Sequence, residues 1–229
     1  QAQAIADAAA KLNTNPTDAT KPPAQLTPPA KDDTAKQAAD ATQAPATQAP
    51  LAAPDGKQAD AARTRDGATL TFPNAAGHGV AAFIRGTTAW IVIDGTPAID
   101  PAHLKSALGD LPASVDVSSG DGYAVLRIGL NHDEEISARG EGADLKVTLA
   151  PHIATAPTEI SFVRNSDDPN HAALTTLVPG AIHALKLSDP DAGDTLTVVP
   201  VSPGRASLET RSYREFAVLP TASGLVLTP

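Results

Sequence analysis

Val80-Ala81-Ala82-Phe83-Ile84-Arg85-Gly86-Thr87-Thr88-Ala89-Trp90-Ile91-Val92-Ile93-Asp94 is the stretch on which the fold turns. Two apolar runs, Val80–Arg85 and Ala89–Asp94, flank Gly86-Thr87-Thr88, and strand-length runs on either side of a Gly-containing turn predict a β-hairpin. Phe83, Ile91 and Ile93 are its candidate core residues, with Trp90 on the alternate face.

Outward from that hairpin the chain keeps the same habit. Short alternating runs between turn signals predict strands at Thr69–Phe72, Ser114–Val117, Tyr123–Leu130, Glu135–Arg139 and Asp144–Leu149. In the last of these, Leu145, Val147 and Leu149 alternate with Lys146 and Thr148. One helix interrupts them. Asp100 caps it, Pro101 takes the first position where a missing N–H costs nothing, and Gly109 closes it. Leu104 and Leu108 make its apolar stripe, and Ile99 with Leu104 has the spacing of a hydrophobic staple.

A break at Pro151–Pro157 separates a second set of runs at Glu159–Arg164, Thr175–Val178, Ile182–Leu187, Thr195–Val201, Ser207–Tyr213, Glu215–Leu219 and Leu225–Thr228. The prediction is a mainly β, antiparallel domain, sandwich-like or two-lobed, with one short helix and a disordered Ala/Pro-rich tail before it. Its parts are a linker over 1–66, a β subdomain over 67–150 with the helix near 100–109, and a second β subdomain over 158–229. Leu225–Pro229 reads as a strand with no polar tail, so more protein is expected to follow.

Composition explains the tail. Residues 1–66 hold eight prolines, no aromatics and four branched or large aliphatics, Ile5, Leu12, Leu26 and Leu51. So little apolar surface does not offset the entropy of ordering the chain, and the composition predicts an extended linker, partly polyproline II. The tail carries a net charge of −1, against −8 for residues 67–229. An acidic domain without a Lys/Arg cluster repels phosphate backbones, which argues against nucleic acid as a partner. No apolar window approaches a membrane-spanning length of about 18 residues. Zero cysteines exclude disulfides, thiolate zinc sites and cysteine nucleophiles. With no Met in the chain, the expectation is a processed protein or a fragment, and Gln1-Ala2-Gln3 suits residues just after signal-peptide cleavage.

Asp189-Pro190-Asp191-Ala192-Gly193-Asp194 puts three carboxylates in one turn. Calcium takes six to eight oxygens, so Asp189, Asp191 and Asp194 are candidate metal ligands, while a plain polar turn uses the same residues. The acidic runs His132-Asp133-Glu134-Glu135 and Asp167-Asp168-Pro169-Asn170-His171 read as solvated loops. The six histidines, at 78, 103, 132, 152, 171 and 183, show no metal-ligand spacing. Neither a nucleophile elbow nor a phosphate-binding or dinucleotide fingerprint is present. Sugar faces stack on exposed aromatic rings, which makes Trp90 a candidate ligand-binding residue, although a lone Trp in an apolar strand more often belongs to a core.

The run 80–94 resembles a segment of large alphaproteobacterial envelope proteins that often carry tetratricopeptide-type repeats further on. Its strand, Arg-Gly turn, Trp-containing strand and terminal Asp also resemble AMIN-type β domains, which localise proteins in the periplasm. Asp189-Pro190…Gly193-Asp194 and Leu219-Pro220-Thr221…Gly224 match turns of the first group, so the resemblance covers about residues 68–229. It implies compartment and class, with no catalytic residue to carry over. The expected function is a non-enzymatic localisation or assembly module of the periplasm or cell envelope, binding cell-wall polymer or envelope proteins without a cofactor. The alternatives are a calcium-dependent adhesin-like module and a glycan-active enzyme; the latter needs two facing acids roughly 5–10 Å apart.

Overall fold

A computed structural model describes residues 57–165 and 173–229. Of the linker expected over residues 1–66, residues 1–56 lie outside the described residues, as does the loop Asp167–His171. In chain order the elements are β1 (Asp60–Thr64), β2 (Gly67–Phe72), β3 (Val80–Arg85), β4 (Thr88–Ile93), α1 (Pro101–Leu108), β5 (Pro112–Gly120), β6 (Tyr123–Leu130), β7 (Glu135–Glu141) and β8 (Asp144–Ala150). There follow β9 (Thr158–Glu159), β10 (Phe162–Asn165), β11 (Ala173–Thr176), β12 (Leu185–Ser188), β13 (Thr195–Val199), β14 (Arg205–Ala206), β15 (Arg211–Ser212), β16 (Ala217–Leu219) and β17 (Leu225–Thr228). The fold is mainly β with one short helix, and its sheets are antiparallel apart from the small β9–β14 pair.

Three sheets do most of the packing. One has the order β1-β2-β8-β7, a second β3-β4-β6-β5, and a third β12-β13-β17-β16-β15. The second sheet lies between the other two, because its alternate residues enter two separate cores. Ala82, Ile91, Ile93, Leu126 and Ile128 pack with Leu70, Phe72, Leu145, Val147 and Leu149 of the first sheet and with Leu104 and Leu108 of α1. Ala81, Phe83, Trp90, Val92 and Val125 project the other way, onto Leu187, Leu196, Val198 and Val226 of the third sheet. All six residues of β4 are therefore buried. An antiparallel strand covered on both faces loses the polar half of its alternation, and Ala89-Trp90-Ile91-Val92-Ile93 is the result.

The β3–β4 hairpin forms in the expected place, with a two-residue turn, since Thr88 pairs with Arg85. Gly86 stands at φ 58°, the positive value that the first central position of a type II′ turn requires. Phe83 pairs with Trp90 across the hairpin and shares its face, not that of Ile91 and Ile93, which corrects the expected grouping. The helix is capped as read. Asp100 accepts from the Ala102 and His103 N–H groups at 2.9 and 3.2 Å, Pro101 begins the helix, and Leu104 and Leu108 are buried.

Several boundaries differ from expectation. The linker was to run to residue 66, but Asp60–Thr64 form β1, paired along β2. Only Ala61 of that strand is buried, so no apolar alternation betrays it. Ser207–Tyr213 is not one strand: β14 ends at Ala206 and β15 begins at Arg211. Ile182, expected to open a strand, is 71% exposed, and β12 starts only at Leu185.

The halves predicted on either side of Pro151–Pro157 share the middle sheet. The outer edge of β3 is joined by main-chain bonds to the second half: Val80 N–H donates to Val201 O at 2.7 Å, Ala82 N–H to Ser223 O at 2.9 Å, and Ala222 N–H to Ala82 O at 2.8 Å. Gly224 sits at φ 83° beside this junction, and a Cβ there would lie 2.5 Å from Ala81 Cβ. The close approach of two backbones demands glycine.

Candidate functional site

The three turn aspartates do come together, around arginines. Asp189 closes the β12–β13 turn by accepting from the Asp191 and Ala192 N–H groups with Oδ1, the local geometry that makes Asp a turn residue. Its Oδ2 accepts from Arg85 Nη1 at 2.5 Å. Arg85 then grips Asp194 with both terminal nitrogens, at 2.6 Å each. Arg127 Nη2 donates to Asp191 Oδ2 at 2.7 Å, and Thr88 Oγ1 reaches the same oxygen at 3.3 Å. Arg85, Thr88 and Arg127 all belong to the middle sheet, so the turn is pinned across the interface between sheets.

Bidentate, charge-assisted bonding of this kind fixes geometry as well as charge. The Arg85 guanidinium holds the Asp194 carboxyl below the usual carboxylate range, helped by a bond from Thr228. The same contact with Asp194, followed by that with Asp189, raises the Arg85 pKa above its ordinary value. Five of the six carboxylate oxygens accept hydrogen bonds, and two guanidinium groups supply the positive charge that calcium would bring. Among the described residues, no group of three acidic or histidine side chains is arranged to hold a metal ion. The candidate ligands Asp189, Asp191 and Asp194 are thus each bonded to an arginine, Arg85 or Arg127.

Trp90 is 2% exposed, which corrects its reading as a sugar platform. Its ring stacks on Phe83 with centroids 5.8 Å apart and planes at 11°. The Arg127 guanidinium lies 4.7 Å from its centroid, so the residue that holds Asp191 also covers the indole. No face is left for a ligand.

The histidines spread over separate places. His78 Nδ1 donates to the Asp94 carbonyl at 2.6 Å, and His183 Nδ1 to the Asp94 carboxylate at 3.0 Å. His103 pairs with Asp60 at 3.0 Å, holding that carboxyl below its ordinary pKa, and His152 lies 3.6 Å from Glu135.

Beside β7 lies a groove that the sequence does not announce. Two adjoining cavities, of about 520 and 190 Å³, share Ile136, Thr155, Ala156, Pro157 and Ala222. The larger adds Phe83, Ile84, Ile153 and Leu208 as apolar lining, and Glu134 and Glu135 are its only charged residues. Glu135 is engaged, accepting from the Ile153 N–H at 2.6 Å. Glu134 is different: its Oε2 is shielded from solvent and makes no hydrogen bond. The narrower cavity adds Ser137, Ala138, Arg139, Thr158 and Gly204. At its rim, Arg139 Nη2 donates to the Thr155 carbonyl at 3.2 Å.

Sequence reasoning placed Glu134 and Glu135 in a solvated turn because the opposite wall comes from residues 153–158 and 204–222. No local pattern connects them. Among the described residues, no helix is long and apolar enough to cross a membrane. No protein-family description, curated protein or solved structure matches the chain.

Proposed function

We propose that this chain is a non-enzymatic localisation or assembly module of the cell envelope, a rigid β scaffold that holds a partner in the groove beside β7. The groove carries the reading. It joins two cavities, the wider one lined mainly by apolar side chains with Glu134 and Glu135 as its charged groups, the character of a recognition surface. The turn aspartates are committed to arginines and Trp90 to the core, so the side chains singled out for chemistry serve packing instead.

The periplasmic or envelope setting rests on the resemblance of residues 80–94 to envelope and AMIN-type domains. Incubation of the purified chain with peptidoglycan sacculi, followed by sedimentation, tests the wall-binding form. Retention well above that of an unrelated acidic protein of the same size is the expected result. Equal retention removes it.

A further inference from the structure

We propose that the groove takes an extended peptide segment of a protein partner, added as a strand along the open edge of β7, with a cationic side chain set beside Glu134. This rests on the reading of the groove as the binding surface and names its occupant.

The first observation is the main chain. Among the described residues β7 ends its sheet, with β8 on one side and no hydrogen-bonded strand on the other. Four successive residues, Ile136, Ser137, Ala138 and Arg139, line the narrower cavity. Successive strand residues point to opposite faces, so a cavity that touches all four runs along the strand's edge. Every second N–H and C=O there points away from β8, and no backbone hydrogen bond among the described residues uses them. Unpaired edge groups of this kind are the template for strand addition.

Charge supplies the second observation. In the wider cavity Glu134 and Glu135 are the only charged residues, and the Ile153 N–H takes one Glu135 oxygen. The Glu134 carboxylate lines the wider cavity and its Oε2 takes no donor, so an ammonium or guanidinium group entering that cavity complements its charge. At the other end Arg139 reverses the sign, so the groove orients its guest with the cation toward Glu134. A glycan is the poorer fit. It wants an exposed aromatic face, and the only ring lining the groove, Phe83, is 1% exposed.

The test is fluorescence anisotropy of the full chain with a labelled octapeptide of alternating lysine and valine. Saturable binding is expected, weakened about tenfold by Glu134→Gln and by N-methylation of alternate peptide bonds in the probe. Asp121→Asn, an exposed acid in the β5–β6 turn, should leave affinity unchanged and so controls for the net charge of −9. Replacing the probe's lysines by glutamines should abolish the effect of Glu134→Gln. Melting temperatures of both variants equal to the parent's confirm that folding is not what is read. Absence of saturable binding, or binding indifferent to N-methylation or to Glu134→Gln, overturns the proposal. If the peptide fails while the chain still sediments with sacculi, the envelope reading stands and this occupant falls.

Discussion

The two interfaces of the middle sheet are built differently. Toward the first sheet and α1, 24 buried apolar residues among those described form the core. Toward the third sheet there are nine, supplemented by Arg85 and Arg127 reaching across to Asp189, Asp191 and Asp194. The first interface rests on burial, which is indifferent to direction and to pH. The second rests partly on hydrogen-bonded charge, which fixes register and depends on ionisation. One sheet thus presents a face held by area and a face held by geometry.

The largest effect expected from perturbing the second face comes from Trp90→Ala. Removing a ring that is 2% exposed should cost about 4 kcal/mol in urea unfolding, by transfer and cavity terms together. Next is Arg85→Met. It leaves Asp189, 3% exposed, without its cation and should cost roughly 3 kcal/mol. On the other side of the molecule, Arg63→Met breaks a pair with Asp110 whose side chains are 43% and 89% exposed, and should cost under about 1 kcal/mol. Equal losses for the two arginine variants would erase the contrast.

Acid should separate the interfaces more gently. Asp194 has its pKa lowered in the folded chain by Arg85. The stability it contributes is complete above the ordinary carboxylate pKa of about 3.9 and is lost as pH falls through the lower folded value. The single tryptophan lies on that face, so its emission should shift to the red before far-UV circular dichroism changes. Simultaneous loss of both signals would mean that the faces do not come apart independently. The smallest effect is calcium's: with the turn oxygens bonded to arginine, millimolar calcium should move the melting temperature by less than about 1 °C in scanning fluorimetry.

How much of this was readable depends on where each signal lies. The helix was legible in three residues, Asp100, Pro101 and Gly109, because capping is local. β2, β6 and β8 were legible through alternation. The second role of the middle sheet was not, since an apolar Trp90 in a strand reads alike whether it faces a groove or another layer. Arg85 and Asp194 are 109 positions apart, and only the closed fold makes them partners. Glu134 shares that obscurity, its groove being walled by segments that meet late in the chain. β1 escaped because a strand that buries one alanine leaves no pattern.

The joining of β3 to residues 201 and 222–223, and the covering of Trp90 by β13 and β17, also sets a timetable. Emerging from a ribosome, β3, β4 and β6 are complete by Leu130, yet the strand that carries Val226 arrives almost a hundred residues later. At about 5–20 residues per second that interval lasts on the order of 5–20 seconds. Throughout it, a greasy sheet with an unclaimed border waits for its cover. The hazardous moment is thus the interval before the last strand arrives, when a holdase would be of most use, on whichever side of the membrane the chain folds.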